Sequence, residues 1–287
     1  MRHVISLSTI PPRFAAIGPT LQALVRQTSR PEAVELYIPR SYRRFPQWGG
    51  ALPEVPDGVR IVRVEEDLGP ATKILPALRA YRGQDIEIMY VDDDVYFAPV
   101  WAKRVLKLRR KLPNAALCAT SLTIEMLGRP WRATAPLPRA VPAAGADEQF
   151  AFHFQRLLSS IRRKDPAAPR LRTWYRKIKR SGHTDIVEGF AGVSLRPDFL
   201  DDAVFDLPPV LWAVDDIWIS GHLTRRGVPI WADSSLECSQ VYAGLYEHHA
   251  LFKSVIDGVD REQANLACVD YMRETYGIWG GAGAAGG

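Results

Sequence analysis

A chain of 287 residues, 47% hydrophobic and 24% charged, has the make-up of a soluble globular protein with room for one large domain or two small ones. No apolar run approaches the roughly 18 residues that a bilayer span needs, and Cys118, Cys238 and Cys268 are too scattered for a disulfide framework or a zinc site. The net charge of +5 is a local property: residues 156–180 hold ten Lys or Arg against one Asp, a net of +9 that leaves −4 for the remainder.

The opening MRHVISLSTIPPR lacks the layout of a signal peptide, so Met1 is expected to begin the mature protein, in a reducing cytoplasm. HVISLST, VELYIP, RIVRVEE and IEIMYVD are short runs rich in Val and Ile, which predict buried strands. Between the first two, Ile17, Leu21, Leu24 and Val25 fall at helical spacing, and Gln27-Thr28-Ser29-Arg30-Pro31 stops the helix. Ala71 to Tyr81 predicts a second helix, limited or kinked by Pro76. Pro99 suits the first turn of a third, with Trp101, Val105, Leu108 and Leu112 as its apolar stripe. AALCATS reads as a fifth strand. Such alternation implies an α/β protein with a largely parallel sheet and ligands at the carboxyl ends of its strands.

Beyond this the pattern breaks. Residues 128–149, with four prolines, read as a long irregular loop, and the basic segment that follows reads as two short helices interrupted at Asp165-Pro166. Order returns with GFAGVSL, a helical run from Arg196-Pro197-Asp198, a helix from Asp215-Asp216, and the strand PIWADSS. Asp260 and Gln263 are spaced as a capping box for a last helix, with Leu266, Val269 and Met272 facing inward. The tail GGAGAAGG is low in complexity and reads as disordered.

The stretch MYVDDDVYF carries the chemistry. Three adjacent carboxylates repel one another, and their desolvation needs a compensating cation or hydrogen bonds. On an extended strand Asp92 and Asp94 point one way and Asp93 the other, about 7 Å separating the first two. Such a pair suits Mg²⁺ or Mn²⁺, hard cations that often bridge to a diphosphate. A solvated acidic turn is the plainer alternative. EEDLGPATKILPAL adds Gly69-Pro70 before a helical turn with Lys73 inside it, a place for an anionic phosphate, although Lys73 alone also reads as a surface lysine.

In order, SLSTIPPR, LVRQTSRP, LYIP, EEDLGPATKILPAL, YVDDDVYF, GFAGVSL and AVDDIWISGHLTRRGVP resemble bacterial glycosyltransferases of the GT-A fold, near the large family 2 group, over about residues 3–235. The resemblance implies a GT-A-type, Rossmann-like, mostly parallel central sheet flanked by helices, interrupted here by an irregular basic insertion. It divides one continuous domain into a nucleotide-sugar-binding half (1–127), the proline-rich loop and basic insertion (128–182), an acceptor or catalytic half (183–279) and the tail (280–287). The implied activity is metal-dependent, inverting transfer of a sugar from a nucleotide-sugar donor, with UDP favoured, to a glycan or lipid-linked hydroxyl.

The same resemblance implies the residue roles. Asp94 would hold Mn²⁺ or Mg²⁺, with Asp92 at the ribose or the metal, and His248 (beside His249) matches a late third metal ligand. Thr9, Arg13, Asp67, Lys73, Asp92, Asp93 and Gly192 fall on nucleotide-sugar positions, where small residues at Gly189, Ala191 and Gly192 would leave room for the sugar. Asp216 matches the general base, with Asp215 in reserve, since a sugar hydroxyl must lose its proton as the new bond forms. Two acids in a first helical turn also simply complement the helix dipole. Trp212 and Trp218 read either as sugar-stacking faces or as core. A nucleotidyltransferase or phosphohydrolase is the competing enzyme reading, and a non-catalytic protein binding an anionic surface is the competing reading outside enzymology. Nucleic acid is not an expected partner, because the carboxylates would repel its phosphates. Peripheral contact with an anionic membrane through residues 156–180, where Trp174 and Tyr175 lie among the cations, is.

Overall fold

A computed structural model describes residues 1–131, 137–142, 171–173, 178–236, 240–242, 245, 258 and 260–280. Most of the basic segment, the tail, His248 and His249 therefore lie outside the described residues, as do Trp174 and Tyr175. The first half lays down β1 (His3–Ser8), β2 (Ala33–Pro39), β3 (Val59–Val64), β4 (Glu87–Val91), β5 (Ala116–Cys118) and β6 (Ser121–Leu122). Then come β7 (Val141–Pro142), β8 (Leu171–Thr173), β9 (Ile178–Arg180), β10 (Gly182–Thr184), β11 (Ile186–Val187), β12 (Val193–Leu195), β13 (Ile230–Ala232) and β14 (Gln240–Tyr242). Eight of these form one sheet in the order β10-β13-β5-β12-β4-β1-β2-β3. The strands β4, β1, β2 and β3 run parallel, as do β5 and β13, whereas β12 and β10 are antiparallel to their neighbours.

The five strands read from apolar runs are present: β1, β2, β4 and β5 are largely buried and need no polar alternation, whereas β3, at the sheet edge, is mostly half-buried. The period of two still sorts their side chains. Ile5, Leu7, Met89 and Val91 face helices Gly18–Val25 and Trp101–Arg109, while Val4, Ile88 and Tyr90 face the layer formed by Leu75–Ala80, Asp215–Arg225 and Arg261–Tyr276. The α/β expectation is met: a mostly parallel central sheet flanked by helices.

Local departures have physical causes. Ala71 to Tyr81 is not one helix but a 3-10 turn, Gly69–Lys73, and a helix, Leu75–Ala80, separated at Ile74. Pro76 sits in the first turn of the second piece, where its missing N–H costs no hydrogen bond. In the third helix Ala102, Leu106 and Arg109 join Trp101 and Val105 inside, while Leu108 and Leu112 are only half-buried. The run after Arg196 forms short 3-10 turns, Pro197–Phe199 and Asp202–Phe205. The capping box is present, but Ala264 and Cys268 pack inward with Val269 and Met272, and Leu266 stays half-buried.

One polar group holds the middle of the sheet. Arg109 is fully buried and donates to both Glu87 oxygens, Nε at 2.8 Å and Nη2 at 2.6 Å. Ser194 of β12 donates to the same carboxylate at 2.5 Å, so helix, β4 and β12 meet at one ion pair. Removing one partner leaves the other a buried charge without its counter-ion. Arg109→Leu is therefore expected to lose about 3–5 kcal/mol in urea denaturation, and Arg109→Leu with Glu87→Leu to recover most of it. Equal losses in the single and double variants would contradict a paired charge as the cause.

Candidate active site

Strands β1, β2 and β4 are parallel, so their carboxyl ends open on the same side. There the chain encloses a cleft of about 610 Å³ lined by Thr9, Arg13, Asp67, Lys73, Asp92, Asp93, Asp94, Asp215 and Asp216, among others. The antiparallel direction of β12 completes it. Val193 at its start pairs with Tyr90 near the end of β4, which brings Gly189–Ala191 beside the acidic triplet.

Strand β4 ends at Val91, and the triplet lies in a turn, so strand alternation does not apply to it. Asp92 turns to Lys73, with Oδ1 2.6 Å from Nζ. Asp93 and Asp94 instead share Arg13, whose Nη1 is 2.5 Å from Asp93 Oδ1 and 3.6 Å from Asp94 Oδ2. Asp93 is further saturated by the Thr9 hydroxyl at 2.5 Å, and its carbonyl accepts from the Thr20 hydroxyl at 2.7 Å. Thr9 and Asp93 thus brace the cleft floor. Asp94 differs: its carbonyl is clamped by the Tyr242 N–H at 2.8 Å, but its Oδ1 is buried with no hydrogen-bond partner. Burial, then the charges of Asp93 and Asp92, push its pKa up to about 8 against the opposing pull of Arg13.

Lys73 is 5% exposed and links two elements distant in sequence. Its ammonium lies 2.6 Å from Asp92 Oδ1 and 2.8 Å from Asp215 Oδ2. Burial alone would favour the neutral amine, but Asp215, Asp92 and Asp216 outweigh it and keep Lys73 charged. Glycine is required at 189, since an added Cβ would sit 2.8 Å from Lys73 Nζ and 3.0 Å from Tyr90 Cε2.

Asp215 and Asp216 open the helix Asp215–Arg225, which has no side-chain cap. Their environments diverge. Burial would raise Asp215, yet Lys73 and then Arg261, 3.7 Å from Oδ1, hold it below the usual carboxylate range. Asp216 is half-buried, and its Oδ1 accepts the Gly189 N–H at 2.8 Å. Burial, then the neighbouring Asp215 charge, push it up to about 8.

The remaining candidates divide. Asp67 lines the cleft, but its oxygens accept the N–H groups of Arg43 at 2.8 Å and Gly69 at 2.9 Å, so it shapes the loop. Trp212 donates to the Asp67 carbonyl at 2.7 Å and lines the cleft. Trp218 is fully buried and donates to the Val204 carbonyl at 2.8 Å, which makes it core. Gly192 stands apart from the cleft: at φ +91° it faces Trp101, 2.6 Å from where its Cβ would lie. Its smallness serves packing and backbone conformation rather than access for a sugar. His248 lies outside the described residues, and among the described residues no three His, Cys, Asp or Glu side chains form a metal cluster. Arg44, Glu188, Arg261 and Asn265 also line the cleft and were not read from the sequence. Glu188 directly precedes GFAG and was within reach of that motif, whereas Arg261 was hidden inside a helix-capping pattern.

No family model matches this chain, and no curated protein does. Among solved structures, S. aureus TarS 1–349 in complex with UDP-GlcNAc has a TM-score of 0.47 at 12% identity, covering 89% of this chain and 62% of that one. The same fragment in complex with UDP gives 0.41 at 12%, covering 84% and 60%. A crystal structure of S. aureus TarS gives 0.43 at 12%, covering 84% of this chain and 36% of that one. This chain thus spans less than two thirds of the length of the structures it matches.

Asp94 and Asp216 bind protons more tightly in the folded chain than unfolded, so their ionisation opposes folding. The opposition is absent below about pH 4 and complete above about pH 8. In metal-free buffer, Asp94→Asn and Asp216→Asn are expected to melt several degrees above wild type at pH 9 and close to it at pH 4. Wild-type and variant melting curves that run parallel across this range would refute the two proton-holding carboxylates.

Proposed function

We propose that this protein transfers a sugar from a nucleotide-sugar donor, UDP-linked by preference, to a hydroxyl of a glycan or lipid-linked acceptor, with inversion and with help from a divalent cation. One observation carries the reading. A single cleft gathers a buried carboxylate oxygen with no partner, on Asp94, and a second carboxylate of high proton affinity, on Asp216.

An unpartnered buried carboxylate oxygen suits a hard cation, whose coordination would supply the interaction that no protein donor makes. Asp94 would hold Mn²⁺ or Mg²⁺, with the 33% exposed side chain of Asp92 beside it. When bound, such a cation neutralises charge on the departing nucleoside diphosphate.

The chain's own residues perform the rest. Asp216 accepts the acceptor hydroxyl's proton as that oxygen attacks the anomeric carbon and the bond to the donor phosphate breaks. This single displacement inverts the configuration. Asp215 is the poorer base, since Lys73 and Arg261 flank it and keep its proton affinity low. Gly189 directs one Asp216 oxygen and leaves the other for the hydroxyl. No helix among the described residues is long and apolar enough to cross a membrane. Peripheral contact through residues 156–180 is the accompanying proposal for reaching a lipid-linked acceptor.

Calorimetric titration of UDP should give affinity that rises with Mn²⁺ in wild type and loses that rise in Asp94→Asn. Asp216→Asn should bind donor as wild type does and lose roughly two to four orders of magnitude in transfer rate. The anomeric configuration of the product, by NMR, decides the mechanism, because retention excludes a single displacement. Turnover of nucleoside triphosphates with no sugar acceptor would favour the nucleotidyltransferase or phosphohydrolase reading instead.

A further inference from the structure

The C-terminal helix lines the cleft with Arg261 and Asn265, of which Arg261 carries charge. Arg261 begins that helix, and its guanidinium donates to the Ala213 carbonyl and lies 3.7 Å from Asp215 Oδ1. Its position is built, not incidental. The capping box fixes the helix start, with Asp260 Oδ1 accepting the Gln263 N–H at 2.8 Å. Ala264, Cys268, Val269 and Met272 bury the helix, and Gly221 on the facing helix lacks the Cβ that would strike Met272.

We propose that Arg261 is a positioning residue for Asp216, acting through Asp215 and the Ala213 carbonyl. The first turn of the Asp215 helix carries two adjacent carboxylates with no side-chain cap, and they repel. Asp215 is buried between two cations from different elements, Lys73 on Oδ2 and Arg261 on Oδ1. That clamp fixes the Asp215 carboxylate and the turn behind it, and the Gly189 N–H then fixes Asp216. Around Asp216 stand Asp215 on its own helix, Lys73 from the 3-10 turn, Arg261 from the C-terminal helix, Tyr90 from β4 and Cys118 from β5, with Glu188 close to Cys118. Of these, Lys73 and Arg261 are the cations, so loss of Arg261 leaves the anion pair less shielded and the Asp216 proton held more tightly.

This inference rests on Asp216 being the base, and the test separates the two. Carboxyl ¹³C NMR titration of Asp216, assigned by comparison with Asp216→Asn, needs no turnover. In Arg261→Gln the Asp216 titration should move up by about half a pH unit or more, with Arg261→Lys between it and wild type. If the enzyme transfers sugar as proposed, the acid limb of the kcat profile should move by the same amount. A shift of half a unit makes kcat about threefold lower below the limb, with acceptor KM unchanged and the rate recovering at high pH. An unmoved Asp216 titration in both folded variants overturns the proposal. So does a raised acceptor KM with an unmoved limb, which would make Arg261 a substrate contact. A moved titration with no change in transfer would uphold the positioning role and remove Asp216 as the base.

Discussion

The ammonium of Lys73 is the constraint from which the site follows. A buried cation is tolerable only with anionic partners at contact distance, and Lys73 has two, Asp92 at 2.6 Å and Asp215 at 2.8 Å. Those partners belong to the turn after β4 and to a helix more than a hundred residues later. Satisfying one charge therefore brings the two halves of the chain together. Gly189 leaves the space that the ammonium occupies, and the antiparallel β12 delivers that glycine. Such a buried network is weak evidence for stability, since apolar replacements often fold as well. Its physical effect here is arrangement: the Asp92 end faces the triplet, and the Asp215 end abuts the proton-holding Asp216.

Much of the fold was legible because its signals are local. Strands appear as short runs rich in Val, Ile and Leu, and β1 to β5 occur where HVISLST, VELYIP, RIVRVEE, IEIMYVD and AALCATS lie. The acids and the lysine were legible as residue types, and Asp92, Asp93, Asp94, Lys73, Asp215 and Asp216 do meet in one cleft. Their pairing was not legible. Strand alternation does not hold for the three residues past the end of β4, and in the turn Asp93 and Asp94 swing to the same arginine. The resemblance ranked Asp216 before Asp215, but residue type alone could not separate them, because the difference comes from Lys73 and Arg261, which are remote along the chain. Gly192 shows the limit for small residues: a packing glycine and an access glycine look alike until the neighbour, here Trp101, is known.

The cleft's charge balance explains why its acids occupy such different states. Seven carboxylates and four cationic side chains line it, so with every group ionised it would repel an anionic nucleotide. The chain answers this in two ways. Asp92, Asp93 and Asp215 stand against Lys73 or Arg13 at contact distance. Asp94, whose Arg13 lies closer to Asp93, and Asp216, beside the charged Asp215, hold protons up to about pH 8, which removes two negative charges near neutrality. A divalent cation at Asp94 would displace its proton and add two positive charges where a diphosphate needs them. As the proposed base, Asp216 would instead have to give up its proton before taking one from a hydroxyl, and would work best where its proton affinity matches the working pH. Two carboxylates of like chemistry are thus set apart from their neighbours by burial and nearby charges alone, as the roles proposed for them, metal ligand and base, would require.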